Sequence, residues 1–408
     1  MSFLVAQIGA RRHYAIPRML HARGLLDHFV TDICAVKGLP RCLRWIPQHL
    51  RPAGVKRLLG RIPHGVPREL ISAFTNFGRE YARRRGSART PAQATAAHLW
   101  AGKMFCERVI RRGLGGAAGV YTFNSAGLEL LEHARARGLR TVMEQTIAPM
   151  RIERELLLAE NEKFPGWQNP VSEDARLAEF MDREEAEWAQ ADLILCGSGF
   201  VRDGVAQCGG PAARCAVVPY GVDATFEIPN RPAHDGPLRV LTAGEVGLRK
   251  GSPYVLAAAK LLGDRARFRM VGSISLRPPI LEQFTGHLEL TGPVPRSEIL
   301  AHYEWADVFL LPSLCEGSAT ATYEALACGL PVIVTPNTGS IVRDGQDGFV
   351  VPIRDPEAIA AKLDLLARDR GLLQGMSRHA RAGAREATLS SYAHRLHQAL
   401  HLNPESDS

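Results

Sequence analysis

The sequence predicts an α/β protein of two Rossmann-like domains whose parallel sheets face an interdomain cleft. Three observations carry that expectation. Strand-type apolar runs alternate with helical patterns from one end to the other, as they do when parallel sheets are covered by helices on both faces. The alternation falls into two series, separated by the polar, proline-containing stretch Glu227 to Pro237. The chain also has 408 residues, more than one hydrophobic core usually organises at roughly 150 residues per domain.

The first series opens with a strand over Phe3 to Ile8, a turn at Gly9-Ala10 and a helix through Arg23. Further strands are expected at Val120 to Phe123, Thr141 to Glu144, Leu193 to Cys196 and Ala216 to Val218, with helical spacing over Glu173 to Ala191. The second series has strands at Leu238 to Ala243, Phe268 to Val271, Leu288 to Thr291, Val308 to Leu311 and Val332 to Thr335. Its helices fall at Ser252 to Leu262, Arg296 to Trp305 and Ser318 to Ala327. Pro356 to Leu400 reads as helical and polar, followed by a short acidic tail. The expected division is a first domain over 1–226, a second over 227–388, and a final helix with tail over 389–408.

Apolar residues make up 46% of the chain and charged residues 23%, a mix that excludes a disordered or fibrous protein. No apolar run reaches the roughly 18 to 20 residues that cross a bilayer, and Met1 to Val5 carries no basic leader, so a cytoplasmic location is expected. The cysteines are scattered, without a Cys-x-x-Cys pair or histidines at zinc-finger spacing, and read as reduced thiols. Nothing points to a nucleic-acid partner.

The formal charge of +8 is concentrated: residues 37–89 hold thirteen Lys or Arg against two acids, Glu69 and Glu80. Trp45, Ile46, Leu50, Val55, Leu58 and Leu59 interleave with Arg44, Arg51, Lys56, Arg57 and Arg61. That pattern suits either an amphipathic element in peripheral contact with the anionic inner face of a membrane or a solvated basic surface.

Chemistry concentrates at two strand-to-helix junctions of the second series. At Asp307 to Ser318 a buried strand ends near Pro312, a loop presents Glu316, and a helix starts at Ser318. Free amides at a helix start, with the dipole behind them, favour a phosphate or sugar oxygen, and Gly317 permits close approach to the backbone. Glu324, eight residues on, can accept both hydroxyls of a ribose diol, and Glu316 can accept from sugar hydroxyls. At Thr242 to Ser252 the adjacent Arg249 and Lys250 can hold a diphosphate, the guanidinium fork taking two oxygens and the ammonium adding a point charge. Alone, the two glutamates read first as a chance spacing and the Arg-Lys pair as a solvated basic loop; the two junctions support each other by falling at equivalent strand ends of one domain.

These stretches also resemble a known family. Gly244-x-x-x-x-Arg249-Lys250-Gly251 before a helix, Thr291-Gly-Pro-Val294, Glu316-x7-Glu324 and Ala327-Cys-Gly-Leu-Pro-Val-Ile-Val look like the carboxyl-terminal half of the family 4 retaining glycosyltransferases (glycosyl transferases group 1) of the GT-B fold. Glu187-Trp-Ala-Gln-Ala-Asp192 through Ser198 and Val218-Pro-Tyr-Gly-Val-Asp223 resemble that family's approach to the interdomain junction. The resemblance is specific over roughly residues 185 to 355 and weak before residue 110.

The resemblance implies an acceptor-side first domain, a nucleotide-sugar-binding second domain, and a last helix crossing back to the first. It implies that Arg249 and Lys250 bind the donor diphosphate, Glu324 the ribose, and Glu316 the donor sugar near its anomeric carbon. Backbone amides of Gly317, Ser318, Ala319 and Thr320 would contact phosphate and sugar oxygens, and the segments ending at Gly272 and Val294 would flank the base. The Gly9-Ala10 turn would be an acceptor or donor-phosphate loop, although it lacks the Gly-Gly of many members, and Phe123-Asn124-Ser125 stands where many carry a histidine.

The implied reaction is retaining transfer of a hexose-type sugar from a UDP- or GDP-linked donor to a hydroxyl of a saccharide, lipid-linked or small-molecule acceptor. The nucleotide sugar is a substrate, and no separate cofactor is expected. Because no Asp-x-Asp occurs, the expected site is metal-independent, with cationic side chains and helix amides neutralising the leaving group. Two rivals remain: a sugar-nucleotide epimerase or sugar phosphorylase of the same architecture, and a nucleotide-sugar-binding protein without turnover.

Overall fold

The computed structural model describes residues 1–171, 175–222, 226, 228 and 234–401. The expected linker at 227–237 therefore lies largely outside the described residues, as do Asp223 and the acidic tail.

Two parallel sheets organise the chain. The first contains β1 (Phe3–Gln7), β2 (Leu26–Thr31), β3 (Ile71–Ala73), β4 (Gly119–Phe123), β5 (Arg140–Gln145), β6 (Leu193–Cys196) and β7 (Cys215–Val217), in the order β3-β2-β1-β4-β5-β6-β7. The second contains β8 (Leu238–Ala243), β9 (Ala266–Val271), β10 (Leu288–Gly292), β11 (Val308–Leu311), β12 (Val332–Val334) and β13 (Gly348–Val350), in the order β10-β9-β8-β11-β12-β13. Strands such as Phe3–Gln7 and Val308–Leu311 are buried along their whole length, which is why they read as unbroken apolar runs. Strand order reverses between β1 and β4 in one sheet and between β8 and β11 in the other. Crevices at such reversals are where open α/β sheets bind ligands.

Local chemistry sets the helix limits. Thr90 caps the helix Pro91–Arg112 by accepting from Gln93 N at 3.2 Å, with Pro91 in the first turn, and the helix ends at Gly113 with φ +90°. Ser198 and Asp355 cap Gly199–Gln207 and Pro356–Arg368 in the same way. Two expected helices start later than anticipated. The first begins at Ile299 instead of Arg296, because residues 296–298 form a turn, and the second at Thr320 instead of Ser318.

The two halves are stitched at a paired crossing. Val222 forms a parallel bridge with Thr388, donates to Ala387 O at 2.8 Å and accepts from Leu389 N at 3.2 Å. A Cβ at Gly221 would stand 2.3 Å from Thr388 O, so the crossing strands can touch only because that residue is glycine. Beyond it, the helix Leu389–His401 buries Tyr392, Leu396, Ala399 and Leu400 in the same core as Phe3, Ile16 and Leu20 of the first half. An exchange runs the other way: after the helix Met150–Lys163, Trp167 joins the core of the second sheet.

Candidate functional site

The site forms where the carboxyl ends of β8 and β11 meet loops of the first half. After β8 the chain turns through Gly244, φ +141°, to Arg249 and Lys250. Gly251 then adopts φ +74°, with a hypothetical Cβ only 2.2 Å from Pro312 O. That close approach locks the loop to the end of β11, and Leu314 N donates to Arg249 O at 2.9 Å.

As a result both cations reach the loop after β11. Lys250 Nζ lies 2.6 Å and Arg249 Nη1 2.8 Å from the same oxygen, Oε1, of Glu316, while Arg249 Nη1 also donates to Cys315 O at 3.0 Å. Glu153, reaching in from the helix Met150–Lys163, has a carboxylate oxygen 3.8 Å from Arg249 Nε. Burial works against the charge on Arg249, but Glu316 and Glu153 more than restore it and the pKa rises above the usual arginine value. Burial likewise raises Glu153, with Arg249 opposing and Glu316 adding repulsion.

Gly317 is pressed against the first half. A Cβ there would stand 1.9 Å from Thr146 O, beyond β5, and Gly317 O accepts from Ser198 Oγ at 2.6 Å, beyond β6. Of the expected phosphate-binding amides, that of Ala319 is already spent on Thr338 O at 3.2 Å. Among the described residues, the amides of Gly317, Ser318 and Thr320 have no such intrachain acceptor. The Ser318 hydroxyl pairs with Tyr323 OH at 2.5 Å, and Thr320 is exposed at the first turn of its helix.

Glu324 is buried in the second turn of the same helix with both oxygens engaged. Tyr303 OH donates to Oε2 at 2.9 Å, and Arg296 Nη2 lies 2.6 Å from Oε1. Gly272, φ +151°, closes the end of β9 so tightly that a Cβ would meet Gly244 O at 1.7 Å, and its amide donates to Gly292 O at 3.0 Å. Val294 follows β10 and packs on the core of the second sheet.

Across the cleft, Gly9 follows β1 with φ +78° and donates to Asp32 Oδ1 at 2.9 Å. Ala10 next to it accepts from His13 N at 3.1 Å. The turn continues through Arg12, His13 and Tyr14, three successive non-glycine residues with φ of 44°, 51° and 61°. Left-handed runs of this kind persist only where side-chain contacts over-determine them. Here Arg12 ion-pairs with buried Glu144 and lies 3.8 Å from the Tyr220 ring centre, while Tyr121 OH and Tyr220 OH donate to Glu144 at 2.6 and 3.0 Å. Burial opposes the charge on Arg12, and Glu144 together with Tyr220, Tyr392 and Tyr121 more than restores it.

Arg249, Lys250, Glu316 and the Gly317–Thr320 loop thus form one cluster. Glu324 sits beside it with partners of its own, Gly272 and Val294 line the β9 and β10 side, and Gly9-Ala10 belongs to the opposing half. Sequence reasoning missed Glu153, Tyr303, Arg296, Thr146 and the Arg12–Glu144 pair. Only Arg296, two residues beyond the Thr-Gly-Pro-Val stretch, carried a local signal.

Comparison with known proteins bears on the fold and on the family. Residues 237–369 match the family profile described as Glycosyl transferases group 1. Salmonella typhimurium WcaL, named as a colanic acid biosynthesis glycosyltransferase, is 30% identical over 229 residues, covering 52% of this chain and 56% of that protein. The D-inositol 3-phosphate glycosyltransferase of Geodermatophilus obscurus is 34% identical over 237 residues, covering 51% and 53%. The chain spans about half the length of these relatives. Among solved structures, Anabaena Alr3699/HepE in complex with UDP and glucose superposes with a TM-score of 0.63 at 14% identity, covering 98% of this chain and 99% of that one. Sucrose-phosphate synthase from Thermosynechococcus elongatus also gives 0.63 at 14% identity, covering 98% of each. Over residues 237–369 this chain is similar to glycosyl transferases group 1, and its two Rossmann-like halves have the GT-B fold.

Proposed function

We propose that the chain is a glycosyltransferase that moves a hexose-type sugar, with retention and without a metal, from a nucleotide diphosphate to an acceptor hydroxyl. The observation that carries this reading is the convergence of Arg249 and Lys250 on one oxygen of Glu316. A donor diphosphate entering between the cations and the loop after β11 displaces Glu316 from them and receives both positive charges and the open amides of Gly317, Ser318 and Thr320. Glu316, released, is then at hand for the donor sugar, and Glu324 for the ribose.

In the reaction the bond from the anomeric carbon to the diphosphate oxygen breaks and its electron pair leaves with the diphosphate. The acceptor oxygen takes that carbon as its proton passes to an oxygen of the departing diphosphate. Positive charge held in a half-buried site stabilises the departing group most when it carries its full charge, which is the condition for speeding turnover instead of merely tightening binding.

A UDP- or GDP-linked donor is favoured by the company the chain keeps, since one similar structure holds UDP-glucose and one relative is named as GDP-mannose-dependent. The relatives' names include amylovoran biosynthesis and a phosphatidylinositol monomannoside mannosyltransferase, in line with a saccharide, lipid-linked or small-molecule acceptor. No helix among the described residues is long and apolar enough to cross a membrane. Peripheral attachment at the cytoplasmic face is supported by Trp45 and Leu50, which are 87% and 63% exposed beside the basic segment. Loss of co-sedimentation with anionic liposomes at low salt would remove that part.

The test is a thermal-shift screen of UDP-, GDP- and ADP-sugars, followed by turnover with the donor that stabilises the protein. Anomeric configuration of the product by NMR reports retention, and activity unchanged by chelator reports metal independence. Stabilisation by no nucleotide sugar would sink the reading.

A further inference from the structure

A second cationic feature lies away from the donor cluster. It is a cavity of about 560 Å³ in the first half, at the strand reversal between β1 and β4 and roofed by the helices Ala53–Leu59, Thr75–Ser87 and Pro91–Arg112. Four arginines line it, Arg11, Arg57, Arg61 and Arg85, against one carboxylate, Asp32.

That carboxylate is already committed. Asp32 accepts from Gly9 N at 2.9 Å and Thr31 Oγ1 at 3.1 Å and pairs with Arg61 at 3.2 Å. Among the described residues, Arg11, Arg57 and Arg85 have no carboxylate at ion-pair distance. Arg11 is half-buried, held by the Thr146 hydroxyl at 3.0 Å and lying 5.5 Å from the centre of the Phe123 ring, neither of which carries charge. Burial lowers its pKa, with Arg12 adding to the effect and Glu144 opposing it. Tyr81 OH and His98 Nδ1 share a hydrogen bond of 2.7 Å on the same wall, and burial with Arg85 and Arg11 lowers the pKa of that imidazole. The lining of the cavity therefore carries net positive charge.

We propose that this cavity binds a phosphoryl group carried by the acceptor, with Arg11, Arg57 and Arg85 as its ligands. Three guanidinium forks match the several oxygens of a tetrahedral phosphoryl group better than the two of a carboxylate. The volume suits a small molecule or a head group. Position suits an acceptor: Arg11 contacts Thr146, and the Thr146 carbonyl abuts Gly317 of the donor loop, so a phosphoryl group at the arginines leaves the remainder of the acceptor beside the sugar. The inference rests on the proposed glycosyl transfer.

Arg57 and Arg85 are exposed, so replacing them leaves the fold intact. The experiment compares the full chain with Arg57→Gln/Arg85→Gln, titrated with glycerol 3-phosphate, with glycerol, and with phosphatidylcholine vesicles lacking or containing phosphatidic acid. UDP is titrated into the same samples. The expected result is binding of glycerol 3-phosphate and not of glycerol, weakened about tenfold for each arginine removed, with UDP binding unchanged. Binding to phosphatidic acid vesicles alone, lost in the double variant, supports the same chemistry and assigns it to a lipid headgroup. Binding of neither phosphoryl probe, or equal binding by the double variant, overturns the proposal. UDP binding without phosphoryl binding defeats only this inference; phosphoryl binding without any nucleotide binding defeats only the donor reading.

Discussion

Lys250 Nζ lies 2.6 Å from Glu316 Oε1, so the ammonium expected to meet a diphosphate is held, without ligand, by the carboxylate expected to meet the sugar. On the proposed reading, ligand binding and the breaking of this pair are one event. Glu316→Gln removes the competitor, and the protein should bind UDP about three- to tenfold tighter while turning over far more slowly. Lys250→Ala should lower kcat about tenfold or more at saturating donor. Steady-state kinetics with calorimetric UDP binding reads both, and a Lys250→Ala effect confined to KM contradicts the assigned role.

Glu324 is held by Tyr303 and Arg296, one on each oxygen. Removing the Tyr303 hydroxyl leaves a buried carboxylate short of a donor, so Tyr303→Phe should lower unfolding stability by about 1–3 kcal/mol in urea titrations. Glu324→Ala should weaken UDP binding and leave inorganic pyrophosphate unaffected, since only the nucleotide offers a ribose diol. Equal weakening of both ligands would reassign Glu324 to the phosphates.

Contact between the halves runs through a glycine. With Thr146 O only 1.9 Å from any Cβ at position 317, Gly317→Ala must push loop and first half apart, at a cost of about 1–3 kcal/mol. Small-angle scattering should register a more open particle, with reduced turnover. A variant with unchanged scattering and rate would mean that the loop yields locally.

His28 provides a pH signature. It pairs with Ser72 across β2 and β3, and burial, together with Arg112 and Lys37, lowers its pKa from 6.5 to about 4. Between those values the unfolded chain binds the proton and the folded one does not, so this residue's contribution to stability falls as pH drops from about 6.5 to about 4. His28→Gln should flatten Tm against pH across that window in scanning calorimetry. An unaltered slope would assign the acid sensitivity elsewhere.

The parts of the site legible in the sequence are those made by one strand and the turn after it. Arg249 and Lys250 follow an apolar strand and precede a helix, as does Glu316, and that local signal suffices. Glu153 sits on a polar helix that carries no motif, and only tertiary packing brings it to Arg249. The same limit hid β2, where Asp27 and His28 interrupt the apolar run, and β3 and β13, where Ser72 and Gly348 leave too few successive apolar side chains to stand out. Starting the Glu324 helix at Ser318 went astray because Ser318 spends its hydroxyl on Tyr323 instead of capping the helix. Proximity of Gly317 to Thr146 is a relation between halves, which no window along the chain contains.

The helix Leu389–His401 sets an order of assembly. Tyr392, Leu396 and Leu400 belong to the core formed by Tyr14, Met19 and Leu20, so a ribosome must finish the whole second half before the first can be sealed. During synthesis the opening third of the polypeptide waits with an apolar face uncovered, which exposes it to chaperones and to aggregation. Nascent chains arrested ahead of residue 389 should bind a hydrophobic dye that the finished protein excludes.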